Sequence, residues 1–137
     1  VLPDDFELTN TSYETKTGTE IFLQFENKQE NSLAAFCRLR LPRWNEIKGF
    51  EEYDNLAVLP GKALIRELHT YGRMAKIGAQ GEQSQHMGFG RRLIAEAERI
   101  AQEKGYTGIA IIAGVGVREY YKKLGYTLER TYMVKTF

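Results

Sequence analysis

The chain has 137 residues, of which 42% are apolar and 27% charged, the size and balance of one compact domain able to bury a core. Lys plus Arg number 19 and Asp plus Glu 18, so the net charge of +1 excludes a uniformly basic nucleic-acid binder or membrane-surface protein and makes any basic patch local. One cysteine, Cys37, excludes an internal disulfide, no Cys/His cluster has zinc or iron–sulfur spacing, and no apolar run approaches the roughly 20 residues of a membrane span, all of which fit a reducing, cytoplasmic compartment.

The chain starts on Val1 rather than Met, which reads as excision from a longer protein. Residues 1–18 are polar with scattered Thr and Asp and read as a linker or lead-in, with the domain proper over 19–137. Two β-rich runs follow, Glu20 to Glu26 and Ser32 to Leu41, joined by the polar Asn27-Lys-Gln-Glu-Asn31, a hairpin signal. In the second run Leu33, Ala35, Cys37, Leu39 and Leu41 share one face and Arg38 and Arg40 the other, so one face is core and one is wet. Pro42 ends that pairing, and a less periodic stretch with Trp44 and Phe50 leads through Pro60-Gly61 to a third run, Ala63 to Tyr71. Strict alternation along this central strand projects Ile65, Glu67, His69 and Tyr71 together and Leu64, Arg66, Leu68 and Thr70 oppositely.

A glycine-bearing polar loop, Gly72 to Ser84, precedes Phe89, Leu93, Ala97, Ile100 and Ala101, whose spacing predicts a helix of about four turns that stops at Gly105. Ile109 to Ala113 is short, β-branched and flanked by glycines, a strand buried on both faces. A second helix spans Val117 to Leu124, stopping at Gly125, and Tyr126 to Lys135 forms a last strand. The order β-β-β-α-β-α-β predicts an α/β fold, a mixed sheet with helices packed on it.

The segment Gln85-His-Met-Gly-Phe-Gly-Arg-Arg92 lies where a loop enters the first helix. Unpaired N–H groups at a helix start, the positive end of the dipole and glycines that admit close approach make a site for a diphosphate. Alone, a G-x-G serves equally to shape a tight turn. In context it matches the Q/R-x-x-G-x-G/A pyrophosphate signature of GCN5-related N-acetyltransferases, and Tyr120-Tyr-Lys-Lys-Leu-Gly-Tyr126 resembles that family's Y-x-K-x-G-F/Y segment. The fold this resemblance implies is a largely antiparallel central sheet split around a cofactor cleft. It also implies that Tyr121 faces the thioester sulfur as general acid, because a phenol with a pKa near 10 keeps its proton at neutral pH and can deliver it to a departing thiolate. Without the motif both tyrosines read as amphipathic packing residues. With it, Tyr121 takes the chemistry and Tyr120 the packing.

Three stretches, Arg66 to Gly72, Gln85 to Gly90, and Gly114 to Tyr126 continuing to Tyr132-Met-Val-Lys135, resemble the R-E-L-H-V-Y-G, Q-H-Q-G-F-G and G-V-G-x-R-x-Y-Y-x-K-L-G-Y…Y-M-V-K segments of the Elongator-type tRNA uridine-34 acetyltransferases. Phe22 to Glu26 and Arg38 to Arg40 extend the resemblance, while Thr70 stands where Val is usual and Met87 where Gln is usual. The resemblance implies acetyl-CoA as cosubstrate, contacted by Glu67, Leu68, His69 and Thr70 on a splayed strand, by Gln85, His86, Met87, Gly88, Phe89, Gly90 and Arg91 around the diphosphate, and by Tyr121. His69 or Glu67 is the candidate base for an attacking water or hydroxyl, against the plainer reading of a surface His–Glu pair. Arg38, Arg40, Arg43, Arg66, Arg73 and Lys76 are the candidate contacts to tRNA phosphates, against ordinary solvated charges.

In the intact family the acetyl group begins carboxymethylation of the wobble uridine, using a radical made in a second half that holds S-adenosylmethionine and an iron–sulfur cluster. That radical half, a partner expected in the same parent chain, is absent from this sequence, so this chain is expected to bind tRNA weakly. Two other functions fit the same residues: a protein or histone lysine N-acetyltransferase, and a non-catalytic scaffold that binds acetyl-CoA or tRNA.

Overall fold

A computed structural model describes residues 5–49, 54–71 and 88–137. Among these residues seven strands, β1 (Glu7–Thr15), β2 (Gly18–Asn27), β3 (Ser32–Pro42), β4 (Lys62–Thr70), β5 (Gly108–Ile112), β6 (Thr127–Glu129) and β7 (Tyr132–Thr136), form one sheet in the order β1-β2-β3-β4-β5-β7-β6. Helix α1 (Phe89–Glu103) lies between β4 and β5 in the chain, and the short helix α2 (Arg118–Lys123) between β5 and β6. All strand pairs are antiparallel except β4 with β5. The predicted mixed, largely antiparallel sheet is therefore present. Among the described residues no helix is long and apolar enough to cross a membrane.

The two sheet faces are covered differently. Alternating residues of β2 to β5, among them Leu23, Phe25, Cys37, Leu39, Ile65, Ile109 and Ile111, meet Phe89, Leu93, Ile94, Ala97, Ile100 and Ala101 of α1 in the main core. On the opposite face a smaller cluster joins Leu59, Ala110 and Val134 to Trp44, Leu56 and Leu64. α1 ends where predicted, with Gly105 at φ 90° and the Tyr106 N–H bonded to the Ala101 carbonyl, a glycine C-terminal stop.

Three expectations are corrected. Residues 7–15 of the supposed lead-in form the edge strand β1, paired with β2 from Glu7 opposite Glu26 to Thr15 opposite Gly18. The segment hid because it is a mostly exposed edge strand of Thr, Ser and Asn, with no apolar alternation to read. The tail is a hairpin, not one strand, because Arg130 turns the chain at φ 59° between β6 and β7. In β5 Ile109, Ala110 and Ile111 are buried, but Ile112 is 62% exposed at the strand end.

Arg40 also takes a role its position alone does not reveal. Its guanidinium donates to Glu20 Oε2 at 2.7 Å and Thr15 Oγ1 at 3.0 Å through Nη1, and to Thr17 Oγ1 at 2.7 Å through Nη2, locking the β1–β2 turn to β3. The side chains of Arg40 and Glu20 are 14% and 6% exposed, so this is an interior fork. An ammonium cannot fill the same positions; Arg40→Lys is expected to lower stability by about 1–2 kcal/mol. Denaturant unfolding measures it, and an unchanged midpoint would show that the fork does not hold the turn.

Candidate active site

β3 and β4 stay paired from Arg40–Leu64 to Ala35–Thr70, but the parallel ladder between β4 and β5 stops at Ile65–Ile111. Beyond that point β4 runs on with no strand on its β5 side among the described residues, none of which gives the backbone groups on that edge a ladder partner. The sheet is split there. At the same level β4 carries a bulge: Leu39 faces Ile65 and Arg38 faces Glu67, so Arg66 has no counterpart.

The bulge reverses the parity expected along the strand. Ile65 stays on the α1 side, and after the extra residue Leu68 and Thr70 share that side instead of opposing it. Glu67, His69 and Tyr71 do share a face, but it is the other one. There Glu67 meets Arg38 at 3.2 Å and His69 Nε2 at 3.5 Å, and the rings of Phe36, His69 and Tyr71 cluster, with the His69 centroid 5.3 Å from Phe36 and 6.2 Å from Tyr71. The side chains of Glu67 and His69 therefore do not line the cavity described next, and this arrangement is the surface pair of the plainer sequence reading.

A cavity of about 350 Å³ opens at the split, lined by Leu68 and Thr70 of β4, Gly88, Gly90 and Arg91 at the start of α1, and Gly116, Val117, Tyr120 and Tyr121 at α2. Gly88 is the N-cap of α1 in the left-handed conformation, with no side-chain cap, and the first turn carries no acidic residue. The first intrahelical bond runs from the Arg92 N–H to the Gly88 carbonyl, so the N–H groups of Phe89, Gly90 and Arg91 precede the ladder. Gly90 lies against both other walls: a Cβ there would stand 3.1 Å from Tyr120 Oη and 3.3 Å from Thr70 Cγ2.

Tyr121 is 7% exposed and packs edge-on to Tyr120 and Tyr126, with ring centroids 5.2 and 6.0 Å apart. Burial, with smaller contributions from Tyr120 and Cys37, pushes its phenol up to about 12. Tyr120 is raised by burial too, against the pull of the Arg91 cation. Burial likewise pushes the Cys37 thiol up to about 12, which makes it an inert core residue. Gly116, Val117 and Tyr120 are lining residues that motif reading left out, although the G-V-G-V turn before α2 was a visible signal for them.

The proposed RNA contacts fare unevenly. Arg40 is enclosed as above, and Arg43 donates to Glu46, Glu14 and the carbonyls of Thr15 and Lys16. Arg38 is paired with Glu67, and Arg66 is exposed at the bulge. Arg73, Lys76, Gln85, His86 and Met87 lie outside the described residues.

No family model matches the chain. It is 41% identical over 138 residues to Elongator complex protein 3 of Bos taurus, across 99% of this chain and 24% of that protein. It is 43% identical over 135 residues to the tRNA uridine(34) acetyltransferase of Dehalococcoides mccartyi (strain CBDB1), across 93% of this chain and 27% of that protein. A structure of archaeal Methanocaldococcus infernus Elp3 with an N-terminal deletion superposes with a TM-score of 0.77 at 41% identity, over 98% of this chain and 30% of that one. The chain is homologous to a segment of Elongator complex protein 3. It spans about a quarter of the length of these two curated relatives. A Bacillus cereus acetyltransferase, 17% identical with a TM-score of 0.52 over 96% of this chain, shares the GCN5-related N-acetyltransferase fold with this Elongator-related chain.

Proposed function

We propose that the chain binds acetyl-CoA in this cavity and cleaves its thioester, as the acetyltransferase part of a protein that modifies uridine 34 of tRNA. One observation carries the reading: the unladdered edge of β4, the uncapped start of α1 and the tyrosines of α2 converge on a single cavity. In it the N–H groups of Phe89, Gly90 and Arg91 take the diphosphate, with the helix dipole favouring its charge. The free edge from Leu68 to Thr70 takes the amides of the pantetheine arm, adding a strand-like partner to an open ladder. The sulfur then faces α2.

Cleavage breaks the bond between the acetyl carbon and sulfur while an acceptor oxygen or water bonds the carbonyl carbon. The electron pair goes to sulfur, which leaves as a thiolate hydrogen-bonded by the Tyr121 hydroxyl, and the proton of the attacking oxygen passes to bulk water. Because a thiol near 8.5 is a stronger acid than a phenol at about 12, full transfer is uphill, and Tyr121 acts best by donating a strong hydrogen bond as thiolate charge develops. The remainder of a uridine-34 modification lies outside this chain. A cluster held by cysteine thiolates needs several, and the chain has one, Cys37, which is buried.

The choice of tRNA as acceptor is supported by the relatives, one of which, 43% identical, is named as a tRNA uridine(34) acetyltransferase. Incubating the purified chain with acetyl-CoA, with tRNA, with a histone peptide or with neither, and following free CoA and the acetyl group, tests the proposal. CoA release without lysine acetylation supports it. Acetylated lysine would favour a protein acetyltransferase, and binding without turnover a scaffold.

A further inference from the structure

We infer that Glu98 of α1 and Lys135 of β7, neither of which lines the cavity, are positioning residues that fix Tyr121 from behind; this rests on the proposed role of Tyr121 in thioester cleavage. α2 has six residues and no side-chain N-cap, too little to hold its own geometry. What fastens it is its C-terminal end. The Tyr121 carbonyl accepts the N–H groups of Leu124 at 3.0 Å and Tyr126 at 3.1 Å, so the backbone of this turn and the tyrosine move together.

That turn is gripped from two other elements. Tyr126, 1% exposed, donates its hydroxyl to Glu98 Oε2 at 2.7 Å and lays its ring edge-on to that of Tyr121. Lys135 Nζ bonds the Leu124 carbonyl at 3.1 Å, closing an orphan carbonyl at the helix end, and lies 3.3 Å from both Glu98 oxygens. Gly125 makes room for it: at φ 97° it turns left-handed, and a Cβ there would meet Lys135 Cε at 3.3 Å. The glycine of the tyrosine motif and the lysine ten residues later are thus two parts of one clamp, with Glu98 as its fixed point. The Glu98 and Lys135 side chains are 19% and 33% exposed, so the pair is only partly screened by water.

Loosening the clamp shifts the Tyr121 hydroxyl relative to the sulfur, and misplacement by an ångström can cost about 100-fold in rate. Glu98→Gln and Lys135→Met are each expected to lower kcat for acetyl-CoA cleavage by about 10-fold with KM nearly unchanged, and the double variant to add little, because both open the same device. Fluorotyrosine-labelled protein gives a readout independent of turnover: the ¹⁹F resonance of Tyr121, assigned by its loss in Tyr121→Phe, should shift or broaden in both variants. Glu103→Gln, which touches only exposed Arg99 on the same helix, serves as the control. An unmoved Tyr121 resonance with unchanged kcat, accompanied only by a lower melting temperature, overturns the inference and leaves Glu98 as a stability residue. If the wild-type chain cleaves no acetyl-CoA, the functional reading fails instead, and the resonance alone decides whether the clamp positions Tyr121.

Discussion

Gly90→Val is expected to weaken CoA binding by about 100-fold while the domain remains folded. The new methyl groups branch from a Cβ that already stands 3.1 Å from Tyr120 Oη and 3.3 Å from Thr70 Cγ2, so they occupy the space above the helix start. Losing two charge-assisted bonds at about 1.5 kcal/mol each gives a fall of that size. Crowding should cost roughly 1–3 kcal/mol of stability, which a thermal melt will register without loss of cooperativity. Gly105→Val is the comparison, since Gly105 has φ 90° at the far end of α1 with nothing within 4 Å of its Cβ. That variant is strained by roughly 1–2 kcal/mol and should bind CoA as the wild type does. Equal calorimetric affinities for the two variants would remove the diphosphate from the start of α1.

Tyr121→Phe is expected to lower kcat by about 100-fold, near the low end for loss of a proton donor, with acetyl-CoA affinity unaltered because the ring and its packing remain. The pH dependence supplies a second check. Burial raises the folded phenol to about 12, so the protonated form is present at all lower pH and is lost only as pH rises through that value. The rate should show no alkaline fall from Tyr121 below about pH 11. Stability moves earlier: the unfolded phenol ionises near 10, so the stabilisation from keeping Tyr121 neutral is complete below pH 10 and disappears between 10 and 12. Wild-type turnover in Tyr121→Phe would return the tyrosine to a packing role.

Much of this was legible in the sequence where one segment carries its own signal. The alternation from Leu33 to Leu41 marked the buried face of β3, and the spacing from Phe89 to Ala101 marked α1 and its glycine stop. The G-x-G and tyrosine segments named two walls of the cavity, because local geometry at a helix start or end is written in neighbouring residues. What depends on distant pairing was not legible. β1 owes its place to β2, not to its own pattern, and the bulge at Arg66 exists only in the register against β3. That bulge moved Glu67 and His69 to the opposite face from Tyr121, and no periodicity along β4 could have shown it. Arg40 looked like a solvent-facing cation until Glu20, Thr15 and Thr17, each at least 20 residues away, enclosed it. Tyr126 and Lys135 lay inside the matched segments, yet Glu98, their shared partner, did not.

The most direct test of the account is a crystal structure of the chain soaked with acetyl-CoA. The account predicts density for the diphosphate over the N–H groups of Phe89, Gly90 and Arg91, the pantetheine arm along the free edge of β4 from Leu68 to Thr70, and the sulfur facing the Tyr121 hydroxyl. A cofactor bound across the open sheet face beside His69 and Glu67, or one whose sulfur points away from α2, would contradict it.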